Sequence, residues 1–198
     1  IFKRIPKTND WSFYQEWFEK YNIMEYTKVL YDEHKIILSA VEMVEKSEHL
    51  LNKNPKKWKD FCEKIIYFFR NYANKYHHHK EEQVLFPKIS EENEVMRMNI
   101  IAEMLENHDD FRDYLSEIEE SLDTDLKDSF SKLSDYCEDL RDHIAAENEE
   151  LFISVETLLS EYDLETMMFQ FQDIDRNLGE DNKKVLEDNL EKIKSLIS

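Results

Sequence analysis

The chain has 198 residues, 41% of them hydrophobic, and a formal net charge of −19 at pH 7. This acidic excess argues against nucleic acid and anionic membrane surfaces as partners, because both would repel the protein. One glycine and three prolines are too few for the turn-rich connections of β-sheet domains. The composition therefore predicts an all-α protein.

A short N-terminal helix is predicted after Pro6, capped by Asn9 and Asp10 and ended by Asn22. It carries tryptophan, tyrosine and phenylalanine at helical spacing. The first long helix is predicted over about 24–51, where apolar residues recur every three or four positions.

Three more long helices are predicted over about 55–86, 91–121 and 125–160. Pro87 is expected to end the second of them, since proline disfavours a helix interior. The breaks between the long helices are short and carry capping residues. Short links make neighbouring helices antiparallel, so the pattern predicts an up-down-up-down four-helix bundle.

Two further amphipathic helices are predicted at the C-terminal end, over 164–178 and 185–197, separated by Gly179. We expect one domain over 1–198, with a core bundle at about 24–160 and a C-terminal appendage at about 162–197. The appendage can either cover the outside of the bundle or form the interface of a homodimer.

The two cysteines, Cys62 and Cys137, each lie in an apolar stripe and show no C-x2-C spacing. This pattern is typical of reduced core thiols rather than of a disulfide or a redox pair. The sequence has no apolar run of roughly eighteen residues and no signal-peptide pattern. We therefore expect a cytoplasmic protein with no membrane partner.

Two stretches share the pattern H-x3-E-x3-L-F, one beginning at His77 and the other at His143. A spacing of four places the histidine and the glutamate one above the other on a single helix face. The long helix before each stretch carries one further histidine, His34 or His108, in an acidic setting followed by apolar residues. The same set of side chains therefore occurs twice.

All six of these polar residues lie on apolar stripes, where an unpaired carboxylate would be costly to bury. Four imidazoles and two carboxylates suit two iron or manganese ions, with the carboxylates as bridges. The repeat predicts a pseudo-two-fold site with two equivalent metals. The alternative is a hydrogen-bonded polar layer without metal. The predicted metal ligands are His34, His77, Glu81, His108, His143 and Glu147.

The run of three histidines requires a choice of register. His77 follows an apolar helix face, whereas His78 follows a face with two asparagines. We therefore predict that His77 faces the core. His78, His79 and Glu82 are expected to be exposed or to lie outside the ligand set.

These motifs resemble the hemerythrin-like family, also called the HHE cation-binding domain, over about 24–160. The resemblance is carried by D-E-H-K-I-I-L around His34, H-H-H-K-E-E-Q-V-L-F-P from His77, E-N-H-D-D-F around His108, and H-I-A-A-E-N-E-E-L-F from His143. It implies two iron ions with an oxo or hydroxo bridge, replaceable by manganese or zinc. Ferritin-like bundles use Glu-x-x-His instead, which this chain lacks.

Two positions depart from the oxygen-carrying branch of that family. Met104 stands where the carriers have a second histidine on the third helix, and Asn148 stands where they have aspartate. The pattern resembles instead the branch of iron–sulfur-centre repair proteins, although their adjacent N-terminal cysteines have no counterpart here. A missing fifth imidazole would leave an open position on each metal, which favours reaction over lasting O2 carriage.

Three functions stay open at this point. The first is a di-iron protein that binds or reacts with O2, NO or peroxide, served by an electron donor. The second is an iron store or donor for the repair of stress-damaged iron centres. The third is a metal- or gas-responsive sensor whose C-terminal helices contact a partner.

Overall fold

The computed structural model describes residues 26–197, so the predicted N-terminal helix lies outside the described residues. Within this range every regular element is a helix and no strand occurs, which confirms the all-α prediction. None of the helices in this range is both long enough and apolar enough to cross a membrane.

The first two core helices cover 28–92 with one break. The first is α1 (Lys28–Lys53). The second begins with α2 (Pro55–Phe68) and continues without interruption through two π-helical segments, Phe69–His78 and Glu81–Leu85, into α3 (Phe86–Glu92). We call this whole run the second core helix.

The third and fourth core helices each contain one π-helical segment. The third consists of α4 (Glu94–Met96), the segment Arg97–Ile101 and α5 (Ala102–Ser121). The fourth consists of α6 (Leu126–Ala146), the segment Glu147–Leu151 and α7 (Phe152–Leu158). Two C-terminal helices follow, α8 (Glu161–Leu178) and α9 (Glu180–Lys194).

Side-chain caps define the predicted breaks. The side chain of Asn54 accepts a hydrogen bond from the backbone N–H of Lys57 at 3.2 Å, directly before Pro55 begins α2. Asp125 caps α6 by accepting from the N–H of Lys127 at 2.9 Å. Each cap satisfies a backbone donor that the first helical turn leaves unpaired.

The prediction that Pro87 ends the second core helix is wrong, because Pro87 lies in the first turn of α3. Inside an α-helix, proline loses one hydrogen bond and its ring collides with the carbonyl four residues earlier. Here the π-helical segment Glu81–Leu85 precedes it and is closed by a bond from the N–H of Phe86 to the carbonyl of Glu81. This wider turn accommodates the proline, so the helix continues.

The four core helices form the predicted bundle. α1 packs against α2 and α6, and α5 packs against the same two helices from the opposite corner. α8 packs on both π-helical segments of the second core helix, while α9 packs on α1 and α2. The C-terminal helices therefore cover the outer face formed by the first and second core helices.

The interior consists of two apolar clusters separated by a layer of polar side chains. On α1, Leu30 belongs to one cluster and Ile37 to the other, with His34 between them. On each of the other three core helices, polar residues likewise separate the two clusters. Cys62 and Cys137 are buried free thiols within one cluster, as predicted.

Gly179 joins α8 to α9 with φ +98°, a backbone region that side-chain-bearing residues rarely adopt. A Cβ atom added there would lie 2.7 Å from Nδ2 of Asn182. We expect Gly179→Ala to lower the free energy of unfolding by about 1–3 kcal/mol in urea titrations. The double variant Gly179→Ala/Asn182→Ala removes the collision but keeps the φ penalty, so it should recover only part of the loss. Wild-type stability of Gly179→Ala would contradict this account.

Candidate metal centre

Seven buried side chains of the polar layer form two adjacent groups. The four-residue group contains His34, His77, Glu81 and Glu147, and the three-imidazole group contains His78, His108 and His143. Within each group the potential ligand atoms all lie within 4.8 Å of one another. None of the seven residues is more than 3% exposed. The structure thus brings all six sequence-predicted residues together and adds His78.

Each glutamate directs one oxygen toward each group. For Glu81, Oε1 lies 3.4 Å from Nε2 of His77, and Oε2 lies 3.6 Å from Nε2 of His108. A carboxylate with its two oxygens facing different ligand groups has the arrangement needed to bridge two cations. The corresponding distances for Glu147 are 3.2 Å to Nε2 of His34 and 3.4 Å to Nε2 of His143.

The inward-facing atoms fit bound cations better than a closed hydrogen-bond network. Both oxygens of Glu81 and of Glu147, and Nε2 of His34 and His77, have no hydrogen-bond partner among the described residues. Buried polar atoms are normally paired, because leaving one unpaired costs about 1–3 kcal/mol. Oxygen and imidazole lone pairs that converge on one region are the donors of a divalent transition metal.

Two of the histidines are oriented by carboxylates behind them. Nδ1–H of His77 donates to Glu33 at 3.0 Å, and Nδ1–H of His108 donates to Glu82 at 2.9 Å. A proton held on Nδ1 leaves the Nε2 lone pair facing the centre, where a metal would need it. Glu82 therefore lies outside the ligand groups, as expected, but it fixes a predicted ligand.

Asparagines take the same place behind the other two predicted histidines. Nδ1–H of His34 donates to Oδ1 of Asn148 at 2.9 Å, whereas the amide nitrogen Nδ2 of Asn107, a donor, lies 3.4 Å from Nδ1 of His143. Glu33 and Asn107, which directly precede His34 and His108, thus contact the two motif histidines. Glu82 and Asn148, which directly follow the motif glutamates, contact His108 and His34. The sequence interpretation missed this relation, although these residues stand directly beside the motif positions.

The phenylalanine that ends each motif packs against a histidine of the centre. The ring of Phe86 stacks on His108 with centroids 5.7 Å apart, and the ring of Phe152 stacks on His34 at 5.3 Å. Both phenylalanines directly follow a π-helical segment that begins at the motif glutamate. Each motif therefore supplies a histidine, a carboxylate that faces both ligand groups, and an aromatic surface for the histidine of a neighbouring helix.

The structure places His78 inside the centre rather than on the surface. His78 is 1% exposed, and its ring stacks on His108 with centroids 3.8 Å apart. Successive α-helical residues point roughly 100° apart, which is why the sequence pattern favoured His77 alone. The π-helical segment Phe69–His78 has a wider turn, and both histidines face inward while His79 is exposed.

A sequence signal for this widening exists. The apolar stripe of the second core helix advances by four residues at every step through Ile65, Phe69, Ala73, His77 and Glu81. A regular α-helix would rotate this line by roughly 40° at each step. A spacing of four sustained this long indicates turns wider than those of an α-helix.

The two groups are not equivalent, contrary to the expectation of two equal metals. One offers three imidazoles and one oxygen of each glutamate, whereas the other offers two imidazoles and the remaining two oxygens. Met104 is buried and offers no imidazole. His78 supplies the fifth imidazole from the second core helix instead.

The protonation states favour cation binding. Burial lowers the pKa of His77 to about 4 and that of His143 to about 3, so both imidazoles are neutral at pH 7. Burial and the neighbouring charge of Glu147 raise the pKa of Glu81 well above its usual range. A cation that binds Glu81 therefore displaces a proton, and its affinity should rise with pH.

A cavity of about 330 Å³ lies between the third and fourth core helices and reaches the centre at His143. Its inner wall includes Met104 and Phe111. Its outer rim carries four exposed acidic side chains, whose negative potential attracts cations. These rim residues are Glu103, Asp110, Asp139 and Asp142.

Comparison with protein families gives one result. Residues 26–153 match the family described as the hemerythrin HHE cation binding domain. This range includes both ligand groups and nearly all of the four core helices. Searches of curated proteins and of solved structures found no match.

We predict that His78→Ala weakens the binding of one of two cations by at least about tenfold, whereas His79→Ala leaves both in place. The reason is that His78 faces the three-imidazole group and the adjacent His79 faces solvent. Titration of the metal-free chain with Fe(II) or Co(II), followed by metal analysis, measures the difference. Equal binding by the two variants would show that His78 is not a ligand.

Proposed function

Because the chain belongs to the hemerythrin HHE cation-binding domain family, we propose that it is a non-haem di-iron protein that binds or reacts with small oxidants such as O2, NO or peroxide. The observation that carries this proposal is the pair of glutamates that span two unequal ligand groups. Bound iron would supply open coordination positions and a change of oxidation state.

The unequal groups indicate where a small ligand would bind. Beside the shared glutamates, the four-residue group contributes only His34 and His77, one imidazole fewer than the other group. A metal held there would keep one more position for an external ligand. With His78 as a ligand, the centre would have a fifth imidazole, and the two metals would not be expected to keep equal open positions.

The surroundings of this group favour a small, weakly polar ligand. Phe152 stacks on His34, and the fully buried side chains Leu30 and Ile37 lie one turn to either side on α1. Apolar walls of this kind limit the access of water to a bound metal and favour a small ligand. Glu33 keeps the proton on Nδ1 of His77, so the inward nitrogen remains a neutral donor.

We expect the iron-loaded, reduced protein to change its absorption spectrum on titration with NO and to saturate at one NO per chain. The physical reason is that one group has fewer protein donors than the other. The metal-free chain is the control and should not respond. Absence of a spectral change would contradict the proposal, and saturation at two equal NO molecules would contradict the inequivalence of the metals.

A second candidate function, storage or donation of iron, is supported by the acidic cavity at His143. A negatively charged opening speeds the approach of cations at low ionic strength. In a storage protein the rates of metal uptake and release would depend on this opening, whereas the oxidant chemistry above would not.

We predict that Asp139→Asn/Asp142→Asn slows Fe(II) uptake several-fold at low salt and has little effect at high salt. The matched control is Asp135→Asn/Glu138→Gln, which removes two exposed charges of the same helix outside the cavity lining. Stopped-flow loading and chelator extraction measure both directions. The same rates in the two variants would count against a cation route through this cavity.

A further inference from the structure

Four charged side chains form a largely buried cluster beside the centre, which we call the ionic bridge: Glu33, Lys80, Asp175 and Lys183. Nζ of Lys80 lies 2.7 Å from Glu33 and 2.5 Å from Asp175. Lys183 contacts the same two carboxylates, with its Nζ 2.9 Å from Asp175. Two positive and two negative charges therefore neutralise one another away from water.

The ionic bridge joins the C-terminal helices to the core. Glu33 lies on α1 and Lys80 on the second core helix, whereas Asp175 lies on α8 and Lys183 on α9. A second contact strengthens this junction, because the hydroxyl of Tyr76 donates to the backbone carbonyls at the α8–α9 turn. The junction lies on the side of the four-residue group.

Glu33 connects the ionic bridge to a candidate metal ligand. Its Oε2 accepts from Nδ1–H of His77 at 3.0 Å, while its Oε1 contacts Lys80 and Lys183. The carboxylate that orients His77 is thus held in place from its other side by two lysines.

We propose that α8 and α9 support the metal centre: through the ionic bridge they hold Glu33 and thereby His77, so that cation binding and docking of these helices strengthen each other. Asp175 and Lys183 are positioning residues in this account, since they act on the ligand through Glu33. The inference rests on the proposed function only in that a cation binds at His77.

The internal repeat supports this proposal, because the residues at the equivalent positions in the other half of the centre cannot form an ionic bridge. The residue equivalent to Glu33 is Asn107, and the residue three positions after His143, equivalent to Lys80, is Ala146. On that side Asn107 and Ala146 line the acidic cavity. Within residues 26–197, the ionic bridge thus occurs where the C-terminal helices pack and has no counterpart in the other half of the centre.

The coupling has a physical cause. Neutralising Asp175 leaves the fully buried Lys80 with Glu33 as its one charged partner among the described residues, and removing one member of a buried charge cluster is costly. Glu33 would then be drawn toward Lys80 and away from His77. By thermodynamic reciprocity, the factor by which docking of α8 and α9 tightens cation binding equals the factor by which the cation tightens docking.

The test compares Asp175→Asn and Lys183→Gln with two matched controls in the full-length chain. The controls, Asp173→Asn and Lys184→Gln, remove the same charges from exposed positions on the same helices. Titration with Co(II), followed by the visible spectrum of the bound ion, should show about tenfold weaker binding for the two test variants. The controls should match wild type, and Lys183→Arg, which keeps the charge, should restore affinity.

Hydrogen exchange gives the second readout. Co(II) should slow exchange in 161–194 of the wild type and have less effect in Asp175→Asn. Without metal, Glu33→Gln should already speed exchange in 161–194, which tests the ionic bridge independently of the proposed function.

Two results would overturn the inference: wild-type affinity in both test variants, or protection by Co(II) confined to the core helices. A wild type that binds no cation, yet responds to Glu33→Gln, would overturn the proposed function together with the coupling and leave only a structural junction.

Discussion

Two carboxylates, those of Glu81 and Glu147, lie side by side in the middle of a helical bundle with no hydrogen-bond partner among residues 26–197. Such an arrangement is costly unless a cation lies between the oxygens. The remaining features of the bundle's interior are consistent with this requirement. Each core helix contributes at least one imidazole at the same depth, and apolar clusters above and below keep water away.

The internal repeat explains how one short motif meets that requirement twice. In each H-x3-E-x3-L-F stretch, a π-helical segment begins at the glutamate, and the phenylalanine that follows this segment stacks on a histidine of a neighbouring helix. The two halves differ outside the motif. One is covered by the C-terminal helices through Glu33 and Lys80, and the other, with Asn107 and Ala146, borders the acidic cavity. In our proposal, the C-terminal helices support the ligands on one side of the centre, and cations enter through the acidic cavity on the other.

The sequence predicted what regular helical geometry determines. The capping residues Asn54 and Asp125 predicted the breaks between core helices, and the helical periodicity predicted that the six polar residues lie in one layer. The errors at Pro87 and His78 have one cause, since His78 lies within a π-helical segment and Pro87 two residues after one, and a period of 3.6 residues does not describe such segments. The ionic bridge lay beyond reach because it joins residues up to 150 positions apart.

The most direct test of the central claim is a crystal structure of the Fe- or Co-loaded chain with anomalous diffraction measured on both sides of the metal absorption edge. Our account predicts two anomalous peaks, both beside Glu81 and Glu147. One peak should lie next to His34 and His77, and the other should contact all three residues of the three-imidazole group. A single peak, or a second peak with His78 turned away from it, would contradict the account.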